Sequence, residues 1–365
     1  MPGSHASKSI PSLTGLRGIA AVWVLLYHLQ QNAGNLWGMN WLAGMRVLER
    51  GWAGVDLFFV LSGFILMYTH GNEFASNKNL PITRFAKLRL MRVYPLSIVV
   101  LLLIAAIVGM DPGYARWYRG LAAGNLSGEA FIRTALLATR WPIIGSGDWN
   151  EPTWSLSVEI LGYALFPSIA NILMYCRSFL YAVLFGLAFL ALFAIIQWET
   201  GIINKNDFGY AWSFFRMICC FLSGAAFCRA LSLAGDRFKR YGNILEIAAA
   251  FLVFISISTW NGAIFMPLGF SVLIFSISLQ SGILSQLLTC RPIMFIGRIS
   301  FPLYLIHVTP LFWLRYHIGG VVMPELQIGT ILILYVIFCV VCATVLHAFI
   351  EIPSHKLGRV WAGSA

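Results

Sequence analysis

The feature that most constrains this chain is a repeat of apolar runs, each close to the length of a lipid bilayer. A membrane-spanning helix needs about 20 predominantly apolar residues. Ten stretches meet that length approximately: 13–33, 53–70, 88–110, 154–175, 179–198, 209–231, 244–260, 264–282, 295–315 and 326–350. Across the 365 residues, 59% are hydrophobic and only 11% charged. Soluble domains carry about 25% charged residues, so this chain is read as polytopic, not soluble. The expected fold class is all-α: a membrane bundle of about 10 transmembrane helices, in one integral-membrane domain over 1–365. The connection at 260–263 is very short. Segment 128–144, with Arg133 and Arg140, is amphipathic and is placed at an interface.

The net charge of +11 is no nucleic-acid footprint, because the basic residues sit at the ends of apolar runs and no basic tail is present. Ten spans place both termini on one side. Short loops carrying Lys8, Lys78, Arg84, Lys87, Arg177, Arg237 and Lys239 then fall inside, and those carrying Arg46, Arg50, Lys205 and Arg315 outside, which obeys the positive-inside rule. Both termini are therefore expected in the cytoplasm. The long loop 111–152 does not discriminate. The first run carries Arg17 and has no clear small-residue cleavage site, so it is expected to stay as the first span. The seven cysteines show neither paired spacing nor Cys-x-x-Cys doublets and are read as small buried hydrophobes. No histidine cluster suggests a metal.

Several ionisable residues lie inside these runs, where each is costly unless it faces the bundle interior. In "LTGLRGIAAVWVLLYHLQ" Arg17 and His28 are eleven apart, within about 20° of one helix face and roughly 16 Å along the axis. Arg17 is expected near the cytoplasmic interface and His28 deep in the membrane. Asp56, in "GVDLFFVLSGF", is suited to orient a histidine, pair with an arginine or cap its helix. Arg89 and Arg92, in "RFAKLRLMRVYP", share a face and serve as positive-inside anchors or as a phosphate clamp. Ser155 and Glu159 share a face in "EPTWSLSVEILGYALFP". Ser300, Tyr304 and His307 make a polar stripe at i, i+4, i+7 in "GRISFPLYLIHVTP". Glu351, just before Pro353, ends the last span and is expected to pair with basic residues at the inner interface.

Taken together, "LTGLRGIAAVWVLLYH", "GVDLFFVLSGF", "RLMRVYP", "TWSLSVE", "ISFPLYLIH" and the closing "IEIP" resemble the integral-membrane acyltransferase family 3, which includes bacterial O-acetyltransferases of surface polysaccharides. The matches run in the family's order from residue 13 to about 353. The family's Arg-ten-residues-His signature falls on Arg17 and His28, and its Arg-x-x-Arg signature on Arg89 and Arg92. The family often writes two glutamates in "SVEEQFY"; here Glu159 is followed by Ile160, so a role needing two carboxylates is in doubt. A stand-alone form without the extra hydrolase-like domain of many members is expected.

The resemblance implies acyl transfer, usually of acetyl, from cytoplasmic acetyl-CoA to a carbohydrate or glycolipid hydroxyl in a bacterial inner (plasma) membrane, with membrane lipid around it. The expected cavity lies between the first, second, third, fourth and ninth spans. His28 is then the general base, or takes the acyl group first. Arg89 and Arg92 hold donor phosphates, and Arg17 binds another donor phosphate or guides the pantetheine arm inward. Glu159 or Asp56 orients His28 or completes a polar cavity, and Tyr304 or Ser300 supplies the oxyanion donor. The alternative is a carrier or flippase with His28, Glu159 and His307 as a proton relay, although no inverted repeat of the kind carriers show is visible.

Overall fold

The computed structural model describes residues 9–37, 44–75, 82–120, 126–141, 148–200, 210–259, 262–321 and 323–363. Lys8, Lys78 and Lys205, and parts of the 111–152 and 260–263 connections, lie outside these residues. Among the described residues the regular structure is helical, with no strands.

The main helices are α1 (Pro11–Trp37), α2 (Gly54–Ala75), α3 (Ile82–Met110), α4 (Thr153–Tyr175), α5 (Phe179–Thr200), α6 (Tyr210–Ala234) and α7 (Gly242–Ser258). They are followed by α8 (Met266–Ser278), α9 (Arg291–Arg298), α10 (Ser300–Ile318), α11 (Glu325–Leu346) and α12 (Ile352–Trp361). Eight helices among the described residues are long and apolar enough to span a membrane, and the pair α9–α10, bent by 56°, reaches that length only when its two parts are taken together. The remaining expected span, 264–282, is the 13-residue α8. Pro267 starts that helix after a 3-10 turn over Gly262–Phe265, so its straight part reaches only about 20 Å at 1.5 Å per residue. Two eight-residue helices, Pro112–Arg119 and Gly128–Ala135, build the long connection between α3 and α4.

The last span does not stop at Glu351. A π-helical turn over His347–Glu351 carries the chain from α11 into α12, with Pro353 in the first turn of α12. Proline is tolerated there because a first-turn N–H has no intrahelical partner to lose. Within the turn Glu351 binds His347 at 2.6 Å instead of a lysine or arginine. Of the seven cysteines, all free, four are buried, Cys176 and Cys342 are partly buried, and Cys290 is exposed.

Two glycine crossings fix the bundle. Where α2 meets α6, Gly63 faces the backbone of Phe221 and Gly224 the backbone of Val60, with no room for a Cβ at either. Close backbone approach through small residues is how membrane helices associate without a hydrophobic drive. Where α1 meets α9, Gly18 lies against Gly297. Ten residues further along each element stand His28 and His307, whose rings are 5.0 Å apart. Both α9 and the start of α10 pack on α1.

Alanine at position 63 or 224 should therefore cost about 1–3 kcal/mol by overpacking, read as a lowered thermal midpoint of the detergent-solubilised protein. Alanine at Gly109, which has open space around it, should leave the midpoint unchanged or slightly raised. Equal behaviour of the three variants would contradict this packing.

Candidate active site

Two cavities adjoin inside the bundle. The larger is lined by residues of α1, α2, α3, α4 and α10, including Arg17, Ser62, Arg89, Arg92, Glu159, Tyr163, Ser300 and Tyr304. The smaller is lined by Tyr27, His28, Trp52, Glu151, Trp154, Arg216, Tyr304 and His307 among others. Val55 and Tyr304 line both.

The larger cavity is basic. Arg17 comes from the start of α1, and Arg89 and Arg92 from one face near the start of α3. Glu159 is the only carboxylate on the wall, and it is taken by hydroxyls: Ser62 donates at 2.5 Å and Tyr163 at 2.7 Å. Among the described residues none of the three guanidiniums has a carboxylate within salt-bridge distance. Arg89 instead donates to His70 Nε2 at 2.9 Å, and His70 Nδ1 donates to Glu73 at 2.7 Å. This relay fixes the guanidinium without cancelling its charge. Three fork-shaped donors and one occupied carboxylate leave an excess of positive charge, suited to a phosphate-bearing ligand. Lys87 does not join them, because its ammonium donates to the Trp361 carbonyl and lies over that indole.

The smaller cavity holds the imidazoles. His307, at the junction within α10, donates Nδ1–H to the Tyr304 carbonyl at 2.8 Å, which leaves Nε2 as a lone-pair acceptor. That atom is buried and has no partner among the described residues. The His28 ring lies between Tyr27 and His307, with centroids 5.1 and 5.0 Å away, and makes no ring hydrogen bond among the described residues.

Asp56 and Glu159 do not orient His28 in this arrangement. Asp56, in the first turn of α2, accepts from Arg216 Nε and NH2 at 2.5 and 3.0 Å. The Arg216 guanidinium also lies over the Trp52 and Trp154 rings, at 5.0 and 5.8 Å. Glu159 belongs to the basic cavity. Tyr304 stands between the cavities with its hydroxyl 2.7 Å from Ser155 Oγ and 3.3 Å from the Pro152 carbonyl. Ser155 already donates to that same carbonyl at 3.1 Å, so the phenol proton is held locally. Ser300 donates to the Gly297 carbonyl.

A scan of protein families places an acyltransferase domain over residues 10–349. The chain belongs to this acyltransferase family. It is 25% identical over 380 aligned positions to O-acetyltransferase OatA of Staphylococcus aureus, covering 97% of this chain and 58% of that protein. It is 24% identical over 383 positions to the peptidoglycan O-acetyltransferase OatA of Listeria monocytogenes, covering 98% and 57%. Acyltransferase MdmB of Streptomyces mycarofaciens is 31% identical over 166 positions, or 43% of this chain. The chain thus spans a little over half the length of the OatA relatives it matches. No solved structure matches it.

For an acyltransferase of this family, four cavity-associated residues escape motif reading. Arg216 was detectable as a charge inside the apolar run "AWSFFRMICC". Glu151, His70 and Trp52 flank apolar runs, where polar and aromatic residues are ordinary, and only the helix pairing shows what they face.

Glu151 precedes α4, outside its span, and withdrawal from solvent pushes its carboxyl from 4.5 up to about 7, with Arg140 opposing. Asp148, near Arg140 at 3.5 Å, is pushed by burial from 3.8 up to about 6. A carboxyl raised on folding favours the native state most when protonated, so its contribution is lost as pH rises through its two values. The thermal midpoint should fall between pH 5 and pH 8, and Glu151→Gln should flatten that slope. An unchanged slope would refute the assignment.

Proposed function

We propose that this chain is a membrane O-acyltransferase that moves an acyl group, acetyl in the first instance, from acyl-CoA to a hydroxyl of a carbohydrate acceptor. The observation that carries the reading is the wall shared by the two cavities. On one side of Tyr304 stand three arginines with no carboxylate partner among the described residues; on the other stands a pair of histidines. A thioester donor held by its phosphates in the first can present its carbonyl to a hydroxyl held in the second.

In this mechanism Arg17, Arg89 and Arg92 bind coenzyme A phosphates at the cytoplasmic mouth. His28 accepts the proton of the acceptor hydroxyl as its oxygen attacks the thioester carbonyl. The C–S bond then breaks, an ester C–O bond has formed, and the proton passes from His28 to the departing thiolate. Holding both reactants at one wall makes the step effectively unimolecular. Asp56 serves by neutralising Arg216. Glu159 organises Ser62 and Tyr163 in the donor cavity. For Tyr304 to assist the developing oxyanion, its proton must turn from Ser155 or Pro152 to the thioester oxygen.

In this reading the bundle crosses a bacterial inner membrane with both termini in the cytoplasm, and the acceptor is reached from the opposite face. The name of the Listeria relative, a peptidoglycan O-acetyltransferase, favours a cell-wall glycan as acceptor. The carrier reading draws no support from the geometry, because Glu159 lines a different cavity from His28 and His307.

Labelled acetyl transfer from acetyl-CoA in membranes of matched protein content tests the reading. With host glycan as acceptor, His28→Ala should lower the rate by about 10²–10⁴-fold, the range of a lost general base. Arg89→Ala should raise the acetyl-CoA concentration needed for half-maximal rate. Full activity of His28→Ala would overturn the mechanism.

A further inference from the structure

One face of α2 runs the length of the basic cavity. Val55, Phe58, Ser62 and Ile65 all line it, at i, i+3, i+7 and i+10, positions that share a side of a helix. Contacts with other helices mark depth along this face. His70, further along α2, holds Arg89, one of the three guanidiniums assigned to the donor phosphates. Ser62 meets Glu159 midway. Phe58 meets Tyr304 edge to face, with ring centroids 5.7 Å apart. From residue 70 to residue 58 is about 18 Å of helix at 1.5 Å per residue. The cavity is thus a slot with arginines at one end and two aromatic rings at the other.

The aromatic end cannot yield. Phe58 packs against two separate core clusters, one around α2 and α6 and one around α1, α10 and α11. Tyr304 is tied by its hydroxyl to Ser155 and the Pro152 carbonyl. Behind them Val55 and Tyr304 divide the slot from the imidazole cavity, which has room for about one water. A hydroxyl oxygen fits there, but an alkyl chain does not. A donor held by its phosphates at the arginines, with its thioester at Tyr304, therefore has its acyl tail against a fixed wall.

We propose that Phe58 sets the length of the acyl group that the protein accepts. The methyl of an acetyl thioester fits in front of the ring, and each further methylene meets it. This rests on the acyltransferase reading for the orientation of the donor and adds the residue that selects among acyl-CoA thioesters. Ile65 lies two turns nearer the arginines, beside the pantetheine arm, and does not sense the tail.

Equilibrium binding to the full chain in lipid nanodiscs tests this. The probes are S-ethyl-CoA and S-butyl-CoA, thioethers that match acetyl and butyryl donors in length and cannot turn over. One methylene is worth about 10-fold or more in a close-fitting apolar pocket, so wild type should bind the ethyl compound at least about tenfold more tightly, a comparison that needs no variant. Phe58→Ala should bring the two affinities to within about threefold, and Phe58→Leu should fall between. Ile65→Ala, a similar hole placed elsewhere in the slot, should keep the wild-type ratio. Equal affinities in wild type, binding of neither thioether, an unchanged ratio in Phe58→Ala, or the same relaxation in Ile65→Ala would each overturn the proposal. Acetyl transfer by the same wild-type samples separates the two levels. Length-selective binding without transfer would remove the enzyme reading and keep the donor slot. Transfer with binding blind to length would remove the role of Phe58 alone.

Discussion

A guanidinium inside an apolar bundle must be neutralised by the protein or kept for something else, and this fold does both. Arg216 on α6 is bound in bidentate fashion by Asp56 on α2, between helices already held together by the glycine crossing of Gly63 and Gly224. The pair is buried and stacked on two indoles. Removing one member would leave an uncompensated charge, which is why such pairs are hard to break once built. Arg17, Arg89 and Arg92 receive no such partner among the described residues. The same side chain is thus structural at one end of the site and available at the other.

That division of charge organises the interior. The neutralised arginine fixes the aromatic wall of the imidazole cavity, and the three others make the adjoining cavity basic. Tyr304, held by Ser155 and Pro152, marks the boundary. A bundle with two chemically distinct chambers and one common wall suits a transfer between two substrates of different chemistry. The bend between α9 and α10 belongs to the same design, because it places His307 beside His28 while its glycine packs on α1.

The all-helical membrane class was legible because run length and low charge are local properties. Arg17, Arg89, Arg92, Glu159 and Tyr304 were legible as candidates for the same reason, and the structure gathers them around one cavity. What escaped is what depends on pairing between distant segments. Nothing in the run at 264–282 distinguishes a full span from a 13-residue helix behind a 3-10 turn. Pro353 reads as a terminator, yet it sits in the first turn of a further helix. Asp56 carries no mark that its partner is 160 residues away, and His70 none that it braces Arg89. Glu159 was expected either to orient His28 or to complete a polar cavity, and its position four residues after Ser155 only fixes a face of α4, not which cavity that face meets.

The most direct test of the account is a structure of the protein in lipid with a non-hydrolysable thioether analogue of acetyl-CoA. The account predicts the analogue's phosphates against Arg17, Arg89 and Arg92, with its pantetheine arm reaching the Tyr304 wall so that the acyl carbonyl faces His28. An analogue bound elsewhere, with the three arginines making no contact to its phosphates, would contradict it.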